Sequence, residues 1–259
     1  MCGRFTLRTP APVLIGQFDV EVSAERQLEL FAPRYNIAPT QEIVVVRAES
    51  ASGRRTASTI RWGLIPSWSK EGTTGRPMIN ARAETVAEKP AFRTAYRCRR
   101  CLIPADGFYE WQQPAGGRGK KQPYYIHRRD DKPFAFAGLW ESWRSGPAVM
   151  DTDHEPSPSP YLKGRGKETP LTIESCTIVT TAATGAMREL HDRMPVILAP
   201  GDYSQWLDTT LQEPSALAHM LESGEEGELV AEPVSTRVNR VTEVEDPDCI
   251  LPLFDGSNL

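Results

Sequence analysis

Residues 101–111 read Cys-Leu-Ile-Pro-Ala-Asp-Gly-Phe-Tyr-Glu-Trp, an apolar β-like run with one carboxylate, Glu110, set between bulky aromatics. Runs of this kind recur at 42–46, 59–62, 78–83, 124–126, 134–141, 174–180, 196–199 and 234–238, bounded by Gly, Pro, Asp and Ser. Helical periodicity is sparser and falls at 12–18, 87–96, 186–191, 201–208 and 213–221. Strands and helices do not alternate regularly, as a parallel α/β sheet would require. The pattern predicts an α+β fold: one domain on a mostly antiparallel, barrel-like sheet with flanking helices. The domain is expected over 1–245, with a hairpin connection at 114–122 and a surface loop excursion at about 145–170. A loosely packed C-terminal tail is expected over 246–259.

The 259 residues carry 30 Lys+Arg against 34 Asp+Glu, a net charge of −4 that by itself argues against a protein coated in nucleic acid. The total conceals a dipole. Residues 1–100 hold 16 basic and 9 acidic side chains, whereas 151–259 hold 7 and 20. The basic part is dominated by arginine, which suits bidentate phosphate recognition.

The apolar runs are too short for a signal segment or a bilayer span, so no membrane association is expected. Five scattered cysteines, an odd number, fit a reducing cytoplasm better than a disulfide framework. Cys98-Arg-Arg-Cys101 has zinc-like spacing but lacks a second ligand pair. It reads as two small, semi-buried side chains entering a strand, and no metal or cofactor is expected.

Cys2 is the most informative residue. It follows the initiator Met1, and a small second residue permits removal of the methionine. The freed residue would carry an α-amine and a thiol with ordinary pKa values of about 7.7–8.0 and about 8.5. Such a 1,2-aminothiol forms an imine with an aldehyde and closes it to a thiazolidine; it can equally attack an amide or ester carbonyl. Arg4 lies two residues on, expected on the same side of an extended chain. In the 78–84 run (MINARAE), Asn80, Arg82 and Glu84 would share one strand face while Ile79, Ala81 and Ala83 pack inward. Asn is a poor strand former in such a place, which points to a role beyond solvation.

Glu110 among aromatics is a candidate acid or base. In the 190–195 run (LHDRMP), Pro195 biases the preceding chain to extended, so His191 and Arg193 can project together as proton shuttle and phosphate clamp. Trp68, in a turn-rich segment, is a candidate stacking plate for an unpaired base, and Pro39 a rigid wedge. Trp62, Trp111 and Trp140 are expected in the core.

Several ordered motifs together resemble the SOS response-associated peptidase (SRAP) family, the abasic-site processing proteins, from Cys2 to about Val241. These are MCGRF, RYNIAP, RWGLIPSW, INARAET, CLIPADGFYEW, AGLWE, TTAA and HDRMPVIL. The resemblance implies the SRAP fold, a single-stranded DNA partner bearing abasic sites, and capture of the ring-opened sugar as a thiazolidine DNA–protein crosslink through Cys2. It further implies that Asn80 orients the terminus and sugar, that Glu110 assists the amine and ring chemistry, and that His191 shuttles protons. Arg4, Arg82 and Arg193 would hold flanking phosphates, with Pro39 and Trp68 wedging or stacking on bases. A proposed peptidase activity, possible lyase-like chemistry and nucleoid association on damaged DNA belong to the same implication, and nothing demands more than a monomer. The chain departs from the family at the 145–170 excursion, at Ser69, where some members carry a second aromatic, and at Cys98, which has no family role.

Two other readings use the same residues. An N-terminal-cysteine peptidase or amidohydrolase would need no phosphate-binding arginines, and a non-covalent DNA binder would not need the Cys2 thiol.

Overall fold

The 101–111 run breaks at Asp106 into two strands that belong to different sheets. The computed structural model describes residues 2–49, 52–72, 75–114, 116–145, 171–222, 229–241 and 245–253. Met1, the excursion over 146–170 with His154, and residues 254–259 of the expected tail lie outside the described residues. In chain order the strands are β1 (Phe5–Leu7), β2 (Val20–Glu21), β3 (Arg34–Ile37), β4 (Glu42–Ala48), β5 (Arg55–Trp62), β6 (Asn80–Arg82) and β7 (Arg100–Ala105). They continue as β8 (Gly107–Gln112), β9 (Gln122–Arg128), β10 (Phe134–Arg144), β11 (Thr172–Ala182), β12 (Arg193–Pro195), β13 (Ile197–Leu198) and β14 (Leu229–Pro233). The α-helices are α1 (Ala11–Phe18), α2 (Ala24–Leu30), α3 (Arg93–Cys98) and α4 (Tyr203–Leu207).

Strands β4, β5, β7, β10 and β11 pair in a closed ring. Four joints are antiparallel, and the fifth is parallel, with Ser175 opposite Arg61 and Cys176 opposite Trp62. The second sheet, in the order β14-β9-β8-β1-β3, is antiparallel throughout. The expected α+β, barrel-like architecture is therefore the one observed. Every residue of β7 is buried, which is why it reads as an unbroken apolar run rather than an alternating one. Inside the ring, packing is close enough to select glycine at Gly138: a Cβ there would lie 2.7 Å from Cys101 Sγ.

Asp106 makes the corner between the two sheets. Its buried carboxylate accepts the Arg8 and Thr9 backbone N–H groups and the Thr9 hydroxyl, satisfying a charge that would otherwise be expensive to bury. The chain then enters β8 through Gly107, where a Cβ would lie 2.5 Å from the Tyr125 ring. Alternation along β8 sends Tyr109 to an outer cluster with Tyr125, Val234, Val238 and Cys249, and Phe108 to the main core with Phe5 and Ile126. Glu110 shares the parity of Phe108 and so faces inward.

Arg100, 2% exposed, ties the helices to this frame. Its guanidinium donates to the carbonyls of Tyr96 (2.7 Å), Arg97 (2.6 Å), Trp206 (2.5 Å) and Asp208. These carbonyls lie at the C-terminal ends of α3 and α4, where the helix dipoles favour a cation.

Several expectations need correcting. The helix expected from 87 begins only at Arg93, because Pro90 lacks an amide hydrogen and restricts the residue before it. The segments at 186–191 and 213–221 form 3-10 turns, Gly185–Glu189 and Pro214–Leu221, rather than α-helices. The strand expected at 234–238 lies instead at β14, and Thr236–Asn239 is a 3-10 turn. Within the segment expected to be a loose end, Pro247–Ile250 forms a 3-10 turn that buries Cys249 in the outer cluster, while Leu251 and Leu253 remain exposed. Trp62 is fully buried, whereas Trp111 and Trp140 are half-buried. Trp111 bonds Asn239 Oδ1 at 2.7 Å, and Trp140 stacks under the Arg47 guanidinium.

Candidate active site at the N-terminal cysteine

Cys2 precedes the first strand and is fully buried in the main core. Its sulfur lies 3.8 Å from the Arg4 carbonyl oxygen, which also accepts the Tyr109 N–H of β8. Asn80, the first residue of β6, donates its side-chain N–H to the Cys2 carbonyl at 3.0 Å. Parallel pairing with β11, Asn80 opposite Ile178 and Arg82 opposite Thr180, fixes where that amide stands. Asn80 Oδ1 is buried and has no hydrogen-bond partner among the described residues.

Glu110, 2% exposed, lies close enough to act on the thiol. Burial first, and the Glu110 charge second, push the Cys2 thiol well above its ordinary range; the positive chain terminus and the Arg4 carbonyl pull more weakly the other way. A thiol so held is protonated at neutral pH.

The 190–195 segment crosses the same region. β12 continues along the edge of β11 where β10 leaves off, while β6 occupies the opposite edge, so Arg82 and Arg193 flank Thr180 from two sides. The Arg193 N–H reaches His191 Nδ1 at 2.9 Å, and Asp192 Oδ1 lies 2.7 Å from the same nitrogen. The two contacts compete: the amide needs a lone pair on Nδ1, the carboxylate a proton.

The four arginine and aromatic expectations separate on inspection. Arg82 is exposed, and its side chain has no hydrogen bond or ion pair among the described residues. Arg193 is not an open clamp: Glu84 holds its guanidinium through both carboxylate oxygens. Glu84 itself is not on the Asn80–Arg82 strand face as expected, because β6 stops at Arg82 and Ala83–Thr85 turns as a 3-10 helix. Arg4 does not accompany the Cys2 side chain into the core: its guanidinium donates to Asn36 Oδ1 (2.9 Å) and the Val238 carbonyl (2.6 Å).

Trp68 is 63% exposed on a braced loop. Ile65 N–H bonds Ser175 Oγ at 2.8 Å, and the Trp143 indole N–H bonds the Ser69 carbonyl at 2.6 Å. Pro39, half-buried, sits in the 38–41 turn, whose Thr40 N–H bonds the Trp62 carbonyl at 2.8 Å. The Trp68 loop thus leaves the C-terminal end of β5, and the 38–41 turn between β3 and β4 lies against that same end. Cys98 lies on α3 with its thiol on the Thr94 carbonyl, while Cys101 is buried in the ring, so the CxxC pair diverges.

Sequence reasoning overlooked Glu84 as the partner of Arg193. The signal available was only its place in the 78–84 alternation, which does not reveal the turn.

The chain is similar to known proteins in sequence and in fold. Abasic site processing protein YoaM of Bacillus subtilis is 38% identical over 239 residues, spanning 92% of this chain and 93% of that protein. Abasic site processing protein HMCES of Gallus gallus is 32% identical, over 87% of this chain and 68% of its own. A crystal structure of a protein from Bacteroides thetaiotaomicron shares the fold with a TM-score of 0.78 at 23% identity, covering 98% of this chain and all of that one. A protein from Bordetella bronchiseptica aligns with a TM-score of 0.68 at 26% identity, over 90% of this chain. The family model described as SOS response associated peptidase (SRAP) matches residues 1–241, and the chain belongs to that family.

Proposed function

We propose that this protein captures abasic sites in single-stranded DNA as a thiazolidine crosslink through Cys2, once Met1 has been removed. The observation that carries the reading is the pairing of Asn80 with the Cys2 carbonyl beside an inward-facing Glu110. Asn80 fixes the position of residue 2, so its amine and thiol are presented together to one carbon. The names of the relatives, abasic site processing proteins, supply the aldehyde: the ring-opened sugar of a site that has lost its base.

The chemistry runs in two steps. With the thiol protonated, the α-amine is the first nucleophile; its nitrogen adds to the aldehyde carbon and one water leaves, giving an imine. Cys2 Sγ then bonds to the same carbon as its proton passes, by way of Glu110, to the nitrogen. The carbon ends bonded to both nitrogen and sulfur, and the only atoms lost are those of one water. His191 supplies the proton with which the hydroxyl left on that carbon departs as water. Arg82, Arg193, Trp68 and Pro39 serve the flanking strand, the arginines on phosphates and the aromatic on a base.

The test is incubation with a single-stranded oligonucleotide carrying one abasic site, followed by a denaturing gel. A covalent band is expected with the Met1-processed protein and not with Cys2→Ser, whose hydroxyl cannot close a stable ring. Absence of the band from processed wild-type protein overturns the reading. Hydrolysis of peptides or amides through the same Cys2, the activity in the family's name, is the competing use. Exposed Arg82 favours a phosphate-bearing ligand, and Arg82→Gln should weaken DNA capture while leaving any peptide turnover intact.

A further inference from the structure

We propose that Glu84 gates the phosphate site of Arg193: its carboxylate occupies the guanidinium in the free protein, and a DNA phosphate must displace it to bind. The inference rests on the reading that Arg193 serves a flanking phosphate.

A carboxylate and a phosphodiester present the same thing to a guanidinium, two anionic oxygens spaced for paired N–H donors. Glu84 uses that geometry in full, with Oε1 at 2.5 Å from Nη1 and Oε2 at 3.0 Å from Nη2. The two partners differ in freedom. The Arg193 side chain is only 13% exposed, and its Nη2 also donates to the Thr180 carbonyl at 2.5 Å, so it is anchored to β11. Glu84 is 51% exposed on the short turn after β6, where it can swing out without moving a strand. The carboxylate is therefore the removable partner and the guanidinium the fixed one.

Arg82, exposed across Thr180, completes the device. A strand held by Arg82, by stacking on Trp68 or by a bond to Cys2 brings the next phosphate to Arg193 at high effective concentration, and the exchange succeeds. A strand meeting Arg193 alone must compete with an anion already in place. The gate thereby discriminates against undamaged DNA without a bulk negative surface.

The experiment measures binding of an undamaged oligothymidylate by wild type, Glu84→Gln, Arg193→Met and the double variant across a salt series. Glu84→Gln is expected to bind about 5- to 20-fold more tightly at low salt, since a neutral amide replaces a charged competitor. Its log–log salt slope should steepen by up to about 0.7, the value for one further phosphate contact on a single strand. The gain should vanish in the Arg193→Met background. Glu84→Gln binding equal to or weaker than wild type, at unchanged melting temperature, overturns the gate and leaves Glu84 a brace. If Glu84→Gln lowers the melting temperature, Glu84→Asp replaces it: its shorter carboxylate should give a smaller gain of the same sign, and a loss overturns the gate. In the Glu84→Gln background, where the site is open, addition of Arg193→Met with no loss of binding removes the phosphate reading beneath it. Adduct formation on abasic DNA is scored in parallel, so failure of the Cys2 chemistry is seen separately.

Discussion

Replacing Asn80 probes the site where the geometry is most explicit. Asn80→Ala deletes the 3.0 Å hydrogen bond to the Cys2 carbonyl and leaves both residues in place. A neutral hydrogen bond of this kind contributes about 0.5–1.5 kcal/mol net. If that energy serves to hold residue 2 in its reacting position, its loss appears in the barrier as a rate decrease of about 2- to 13-fold. Asn80→Asp should be slower still, because a carboxylate facing the Cys2 carbonyl replaces a donor with a repelling acceptor. The assay is single-turnover crosslinking of Met1-processed protein to an abasic oligonucleotide at saturating protein, with urea unfolding of each variant measured alongside. The expected order is wild type, Asn80→Ala, Asn80→Asp. An Asn80→Ala rate within the error of wild type, at full stability, would show that the bond does not position the nucleophile and would refute the reasoning.

Glu110→Gln removes the like charge that helps hold the Cys2 thiol high, so the thiol should titrate at lower pH when followed by alkylation. Crosslinking should nevertheless slow, because the proton acceptor is lost; a faster reaction would show that Glu110 acts only through its charge. Trp68→Ala should leave stability within about 0.5 kcal/mol, since the ring is exposed. It should weaken single-stranded DNA binding by about 1–3 kcal/mol if a base stacks there, as titration of a fluorescent oligonucleotide would show. Arg100→Met strands four carbonyls at the ends of α3 and α4 and should cost about 3–5 kcal/mol in urea unfolding, and a loss below about 1 kcal/mol would contradict that role. Glu84 is held below the ordinary carboxylate range first by its hydrogen bonds to Arg193. Its contribution to stability is therefore present above the unfolded value of about 4.3 and lost as pH falls through the lower folded one, and Glu84→Gln should flatten that acid limb.

The long buried strands were legible because burial on both faces leaves continuous apolar runs, as in β7 and β10. The short strands β1, β3 and β14 were not, since each has only three to five residues set among arginines, prolines and acids. Their pairing is decided by neighbours distant in sequence, as when β1 lies between β3 and β8. The corner at Asp106 was hidden for the same reason: its partners, Arg8 and Thr9, are about a hundred residues away. At the site, Cys2, Asn80 and Glu110 could be singled out from chemistry alone, because an aminothiol, an amide inside a run that reads as a strand and a carboxylate among aromatics are each unusual. The separate courses of the Arg4 and Cys2 side chains, and the turn that brings Glu84 to Arg193, depend on where two short strands begin and end. Strand ends carry the weakest sequence signal.

The central claim concerns a bond, and the mass of the crosslinked species tests it most directly. Intact-mass measurement after incubation with an abasic single-stranded oligonucleotide should give the protein lacking Met1 plus the oligonucleotide minus one water, with fragmentation placing the linkage on Cys2. An adduct that retains Met1, or one whose linkage maps to a lysine and persists in Cys2→Ser, would contradict the account.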